Sequence, residues 1–325
     1  MSDDVTGRNY SPEDQAALRQ RLLEHRSAKD LRWKEIADLS GLKMGTVSSW
    51  AGGTYQGEGS PIAEKVERYL ASQEKREAVR AVAPDLGFVL TESARDFMAL
   101  LSRAQHMPDI SVLTGAPGVG KTRAACEYKR RNPNVFKIVA EPALSTIPAL
   151  LGAIAHELRV TEVGRQDRIA RLIKQRLIGT RALIIVDEAQ HLSTEMLDQL
   201  RAFHDQAEIG IALVGNSAVI GRLEGGRRSS EYAQLYSRVG MRLNRKKPKR
   251  ADVEALMDAW SVEDVEVRKA LRAVAEQGGA LRSCNKAFLL AQMVAANEGR
   301  ALSATDVELA WGQISDQRVP QQVAA

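Results

Sequence analysis

Three apolar stretches dominate the middle of the chain: Ile110-Ser111-Val112-Leu113-Thr114, Ala182-Leu183-Ile184-Ile185-Val186 and Ile209-Gly210-Ile211-Ala212-Leu213-Val214. None shows the strict alternation of a strand with one wet face. Short β-branched runs of this kind predict strands of a parallel sheet buried on both sides. Residues 123–130, directly behind the first run, read as a helix. Residues 251–260, 265–277, 281–297 and 303–315 carry apolar positions at helical intervals and alternate with turn signals, which predicts a helical bundle closing the chain. Asp306, three residues after Ser303, fits a capped helix start rather than a catalytic carboxylate. The prediction is an α/β core with a three-layer parallel sheet, followed by helices.

The N-terminal part has a different pattern. From Trp33 to Trp50 the apolar positions Ile36, Leu42, Val47 and Trp50 flank a small Ala37, where two helices would cross, and a Gly41 suited to the turn. That spacing predicts a helix-turn-helix. Lys43, Met44, Thr46, Ser48 and Ser49 would face outward from its second helix, open to a DNA groove. This face lacks the Arg, Asn and Gln of bidentate base readout, so DNA binding through it is expected to be largely non-specific. A helix over 62–80 follows, then a break at Pro84. The expected domains are 1–83, a helix-turn-helix with its connecting helix; 84–247, the α/β core; and 248–325, a helical lid, with the last residues frayed.

Candidate chemistry sits at the ends of the predicted strands. Behind the first run stands Gly115-Ala116-Pro117-Gly118-Val119-Gly120-Lys121-Thr122, a complete G-x-x-x-x-G-K-T loop between strand and helix. Its glycines let backbone N–H groups face phosphate oxygens. Lys121 can reach the β- and γ-phosphates, the Thr122 hydroxyl is suited to Mg²⁺, and Arg123 follows in the same turn. The second run ends in Asp187-Glu188, at the sheet edge where open α/β folds bind ligands. Asp187 is the expected Mg²⁺ partner and Glu188 the expected general base for an attacking water. Asp187-Glu188-Ala189-Gln190 also echoes a helicase box, but 325 residues leave little room for two helicase lobes. The third run ends in Asn216, expected between Glu188 and the γ-phosphate as a water-positioning sensor. Arg238, in Tyr232-Ala-Gln-Leu-Tyr-Ser-Arg-Val-Gly-Met-Arg-Leu243, is the expected arginine finger, with Arg227, Arg228 and Arg242 competing for the role. Arg282, opening a predicted helix after Gly278-Gly279, is suited to reach phosphates from the lid.

These motifs resemble the AAA+ ATPases and, within them, the phage Mu B transposition protein family. The segments carrying the resemblance are GAPGVGKT, LIIVDEAQHL, LVGN and YSRVGMRL, together with the helix-turn-helix and the helical C-terminal part. The resemblance implies an ATP- and Mg²⁺-dependent ATPase that binds duplex DNA and assembles on it as a helical homo-oligomer. It further implies that the assembly presents the DNA as a transposition target and stimulates a transposase. Two other classes stay open at this point: a nucleotide-switched helix-turn-helix transcription regulator and a helicase-loader-like remodeller.

Charge is unevenly spread. The chain carries net +5, but residues 1–80 are neutral, 81–250 hold +9 and 251–325 hold −4. The positive field therefore belongs to the core, where it favours a polyanion read through its phosphates. Lys129-Arg130-Arg131, the helically spaced Arg165, Arg168, Arg171 and Lys174, and the 245–250 run with Lys246 and Lys247 are its three clusters. No run is long enough to span a membrane, and the acidic start Met1-Ser2-Asp3-Asp4 is unlike a signal peptide, so a soluble cytoplasmic protein is expected. Cys126 and Cys284 are expected as reduced, half-buried thiols, and the five histidines show no metal-ligand spacing.

Overall fold

The computed structural model describes residues 10–82, 86–160, 164–224 and 238–315. The chain divides into two compact units, 1–85 and 86–325.

The first unit consists of α1 (Pro12–Ala28), α2 (Trp33–Ser40), α3 (Met44–Ala51) and α4 (Ser60–Val82). Ser11 starts α1 with a reciprocal capping box: its hydroxyl accepts the Asp14 N–H while Asp14 accepts the Ser11 N–H. Such a cap contributes about 1 kcal/mol. Helix α2 ends at Gly41 in the left-handed conformation, and α3 begins three residues later. Ile36, Ala37, Val47 and Trp50 are buried against Leu22 of α1 and Val66 of α4, with Leu42 at the rim, as the helix-turn-helix spacing predicts. The Arg19 guanidinium lies over the Trp50 ring at 5.3 Å.

In the second unit α5 (Glu92–His106) leads into β1 (Ile110–Gly115), α6 (Lys121–Arg131) and β2 (Val135–Val139). Then come α7 (Ile147–Glu157), α8 (Gln166–Leu177), β3 (Leu183–Asp187), a 3₁₀ turn (Ala189–His191), α9 (Thr194–Ala207), β4 (Gly210–Gly215), α10 (Ser217–Glu224) and β5 (Val239–Arg245). All the strand pairings are parallel, in the order β2-β3-β4-β1-β5. Strands β1, β3 and β4 are buried along their whole length, as the three apolar runs predict. Successive residues serve opposite layers. Val112, Ile184 and Leu213 pack with Leu150, Leu151 and Phe203 on one face, while Leu113, Ile185 and Val214 pack with Phe97, Leu101 and Tyr128 on the other. Because β4 lies between β1 and β3, the loops after all three open on one edge of the sheet.

The chain closes with α11 (Arg250–Ala259), α12 (Val265–Ala275), α13 (Ala280–Asn297) and α14 (Ala304–Ser315), packed around Met257, Leu271, Phe288 and Trp311. Trp260 stacks on Phe288 with ring centroids 4.2 Å apart. The buried Asp252 ties this bundle to the core. Its carboxylate accepts the Ser93 N–H and hydroxyl, at 2.7 and 2.6 Å, and the Lys249 N–H at 2.7 Å, so the first turns of α5 and α11 share one anion. Ser303 and Asp306 form the expected cap of α14, and Arg300 grips the same carboxylate in a fork that holds it well below the usual range. One expectation is corrected: the thiols are not half-buried, since Cys126 is exposed on α6 whereas Cys284 is fully enclosed, and burial pushes its thiol up to about 12. No helix among the described residues is long and apolar enough to cross a membrane, and no group of three or more His, Cys, Asp or Glu side chains that could hold a metal ion occurs among them.

Candidate nucleotide site and basic surfaces

The loop from Gly115 to Gly120 joins the buried end of β1 to the first turn of α6. Gly120 is in the left-handed region at the N-cap, so the first N–H groups of α6 are left to an anion. Lys121 is folded over the loop, its Nζ donating to the Gly115 and Ala116 carbonyls at 2.8 and 2.9 Å. Burial pulls this ammonium below its ordinary value; Glu188 and Asp187 oppose that pull and Arg282 adds to it. Residues predicted from three separate motifs therefore meet around Lys121 here. Thr122 and Arg123 stand exposed on the same turn. The cradle fits a triphosphate: it offers free N–H groups, a desolvated cation among the described ion pairs without a carboxylate of its own, and a hydroxyl beside it.

Gly118 is where the C-terminal helical bundle meets the loop. It has φ +84, and a β-carbon there would fall 1.8 Å from the Gly279 carbonyl oxygen and 3.2 Å from Arg282 Cβ. A side chain at Gly118 would thus be strained in its backbone and would collide with the start of α13. The same contact brings Arg282, in the first turn of α13, beside the phosphate loop.

Asp187 and Glu188 sit at the end of β3. Asp187 is buried and pairs at 3.0 Å with Lys137, whose side chain is nearly as enclosed. Lys137 reaches it because β2 and β3 run in parallel register, Lys137 beside Ile185 and Val139 beside Asp187. This lysine was missed in the sequence. The signal was a lone cation in the middle of the run Val135-Phe-Lys-Ile-Val139, next to what becomes the acidic strand. Glu188 is exposed and holds φ +56, uncommon for a non-glycine residue and costing about 1 kcal/mol or more. That backbone turns its carboxylate out of the sheet.

Asn216 differs from expectation. Its Oδ1 accepts the Ala218 N–H at 2.8 Å, so the side chain caps the turn into α10. The link to Glu188 runs instead through Gln190, which bonds the Glu188 carboxylate with its amide and accepts the Asn216 backbone N–H at 3.3 Å. Arg238, just before β5, is exposed and lies 3.4 Å from Asp205 of α9. Arg242 is exposed on β5. Arg227 and Arg228 lie outside the described residues.

The basic clusters are less free than their spacing implies. Arg130 and Arg131 both bond Glu127, holding its carboxyl down to about 2, and Lys129 pairs with Glu157 of α7. Arg165 and Arg171 flank Asp167, at 3.4 and 3.8 Å, and Lys174 bonds Gln206; Arg168 belongs to the same helix, α8. Within 245–250, Arg245 and Lys249 are drawn inward to Asp96, and Lys249 also to Glu92. Lys246 and Lys247 remain exposed. Of the outward-facing positions of α3, Lys43 and Met44 are exposed, Thr46 and Ser48 are half-buried, and the Ser49 hydroxyl is already donated to the Gly45 carbonyl.

A parallel sheet carrying a phosphate loop on β1, an acidic pair on β3 and an arginine on a helical lid defines a AAA ATPase, and residues 105–223 match the AAA domain family. Residues 237–314 match the family described as Mu B transposition protein, C terminal. Over 276 residues the chain is 36% identical to the ATP-dependent target DNA activator B of Escherichia phage Mu, covering 85% of this chain and 88% of that protein. Over 273 residues it is 34% identical to the Mu-like prophage FluMu DNA transposition protein B of Haemophilus influenzae, covering 82% and 94%. The chain belongs to the Mu B transposition protein family. In fold it is also similar to a Drosophila ORC structure solved bound to DNA, with a TM-score of 0.51 at 14% identity over 74% of this chain and 65% of that one.

Proposed function

We propose that this ATPase is an ATP-dependent DNA-binding protein that captures duplex DNA as a transposition target and activates a transposase on it. The observation that carries the reading is the convergence of Lys121, Asp187, Glu188 and Arg282 at one sheet edge in a core of net positive charge. The names of its relatives, a target DNA activator and a DNA transposition protein, supply the biological direction.

In this reading the loop from Gly115 to Thr122, with Arg123, binds ATP through backbone N–H groups and the Lys121 ammonium. Thr122 and Asp187 are the residues that would hold Mg²⁺, which would supply neutralisation of phosphate charge when bound. Glu188 takes a proton from the attacking water; the new bond forms to the γ-phosphorus, the bond to the β-phosphate oxygen breaks, and ADP leaves with that electron pair. Arg282 meets the developing phosphate charge from the lid. Arg238 acts in trans on a neighbour's nucleotide, so ATP promotes helical self-assembly on DNA and hydrolysis dissolves it. Asn216 shapes the loop that faces the water. DNA is held by phosphate contacts, with the exposed Lys246 and Lys247 first among them, and Lys129, Arg130, Arg131, Arg165, Arg168 and the α3 positions Lys43, Met44, Thr46, Ser48 and Ser49 as further contacts.

The test is electron microscopy and DNA retention with non-specific duplex. Filaments are expected with ATP alone. Lys121→Ala loses them together with ATP binding, whereas Glu188→Gln keeps both and lingers on DNA. A Glu188→Gln protein that left DNA as fast as the unmodified chain would overturn hydrolysis-coupled release.

A further inference from the structure

The polar chain at the edge of β3 and β4 contains a residue to which the motif reading gives no role. Gln190 sits two residues after Glu188, in the 3₁₀ turn that follows β3. Its amide Nε2 donates to Glu188 Oε2, and its Oε1 accepts the Asn216 N–H at the end of β4. The room for that oxygen exists because residue 215 is glycine: a β-carbon there would fall 2.4 Å from Gln190 Oε1 and 2.8 Å from Val219 Cγ2. The backbone of β4 therefore holds the Gln190 side chain, and Gln190 holds one oxygen of Glu188.

We propose that Gln190 is a positioning residue for ATP hydrolysis, fixing the Glu188 carboxylate by Oε2 so that Oε1 is presented to water. The inference rests on the reading of Glu188 as the general base. A carboxylate on a long exposed side chain samples several rotamers, and a base must lie within hydrogen-bond reach of its proton. One amide donor on Oε2 removes most of that freedom while leaving the other oxygen's lone pairs unshared. The Asn216 N–H supplies the second anchor, so the Glu188 carboxylate is registered against β4, the strand next to β1 and its phosphate loop. The coupling expected of the Asn216 side chain thus belongs to Gln190, with Asn216 contributing its backbone.

The test is steady-state ATP turnover by the full chain with saturating duplex DNA, beside ATP binding by a fluorescent analogue. Gln190→Ala is expected to lower kcat about 10- to 100-fold, the range for loss of a hydrogen bond to a charged group, with KM and ATP affinity within about twofold of the unmodified chain. Gln190→Glu keeps the acceptor for Asn216 but replaces the donor with a carboxylate that repels Glu188, so it is expected to lose at least as much kcat and gives the answer if the alanine variant fails to fold. In a Glu188→Gln background, Gln190→Ala is expected to cost nothing further, because the two act through one group. Undiminished kcat in both Gln190 variants, or the same loss persisting without Glu188, overturns the proposal while leaving Glu188 as the base. Full turnover by Glu188→Gln alone overturns the base reading and this proposal with it.

Discussion

The nucleotide site and the basic surfaces of the same ATPase unit answer differently to the sequence that encodes them. At the nucleotide site, residues from β1, α6, β3 and α13 come together because parallel strands deliver their following loops to one edge, wherever the side chains point. At the basic surfaces, spacing along the chain says only that cations share a helix. The partners of those cations come from elsewhere: Glu157 for Lys129, Asp96 for Arg245, and Glu92 with Asp96 for Lys249. Motif geometry follows from backbone path, whereas free charge follows from the whole fold.

The largest effects should fall on the nucleotide side of this contrast. Glu188→Gln is expected to cut ATP turnover by about 10²- to 10⁴-fold, the usual contribution of a general base, with ATP still bound in equilibrium titration; turnover within tenfold would break the assignment. Gly118→Val should lower ATP affinity by at least about tenfold, because the left-handed backbone and the Gly279 carbonyl leave no room for the side chain. Unchanged affinity would mean that the loop and α13 separate readily.

The DNA side sharpens the comparison through salt. Replacing Lys246 and Lys247 with alanine should reduce the slope of log affinity against log salt by about 2, as for two lost phosphate contacts. Replacing Arg130 and Arg131 should change it by less, since both already bond Glu127. Equal slopes for the two pairs would show that internal pairing does not restrain binding.

Stability separates the core from its bundle more quietly. Asp252→Ala leaves the Ser93 and Lys249 N–H groups without their anion and should cost about 2–3 kcal/mol, a fall in Tm of roughly 4–12 °C for a unit of this size. A smaller pH effect comes from Glu254, which Arg272 and Arg268 hold down to about 2 from an ordinary value of 4.5. Its folded value is depressed, so its contribution is complete above about pH 4.5 and is lost as pH falls towards 2. Glu254→Gln should therefore narrow the gap between neutral and acid melting temperatures; an unchanged gap would assign the acid limb to other carboxylates.

How much was legible follows the same divide. Strands β1, β3 and β4 stood out because burial on both faces demands unbroken apolar runs. Strand β2 carries Lys137 in its middle, and β5 alternates exposed Arg242 and Asn244 with half-buried Met241 and Leu243, so neither announces a buried strand. Asp187 and Glu188 were legible as a pair, but not the buried Lys137 ion pair, whose partners are 50 residues apart and meet only through strand register. Gln190 looked like part of a helicase box. Its role depends on Gly215 and Asn216, which nothing local to Gln190 reveals.

In the proposed function, the state of the phosphate loop sets affinity for DNA. The most direct measurement is the affinity for a labelled non-specific duplex, by fluorescence anisotropy at one fixed salt concentration, with ATP, with ADP and with no nucleotide, for the unmodified chain and for Lys121→Ala. Tight binding is expected of the unmodified chain with ATP alone, and the same weak binding of Lys121→Ala in every condition. Equal affinity of the unmodified chain across the three nucleotide states would contradict it.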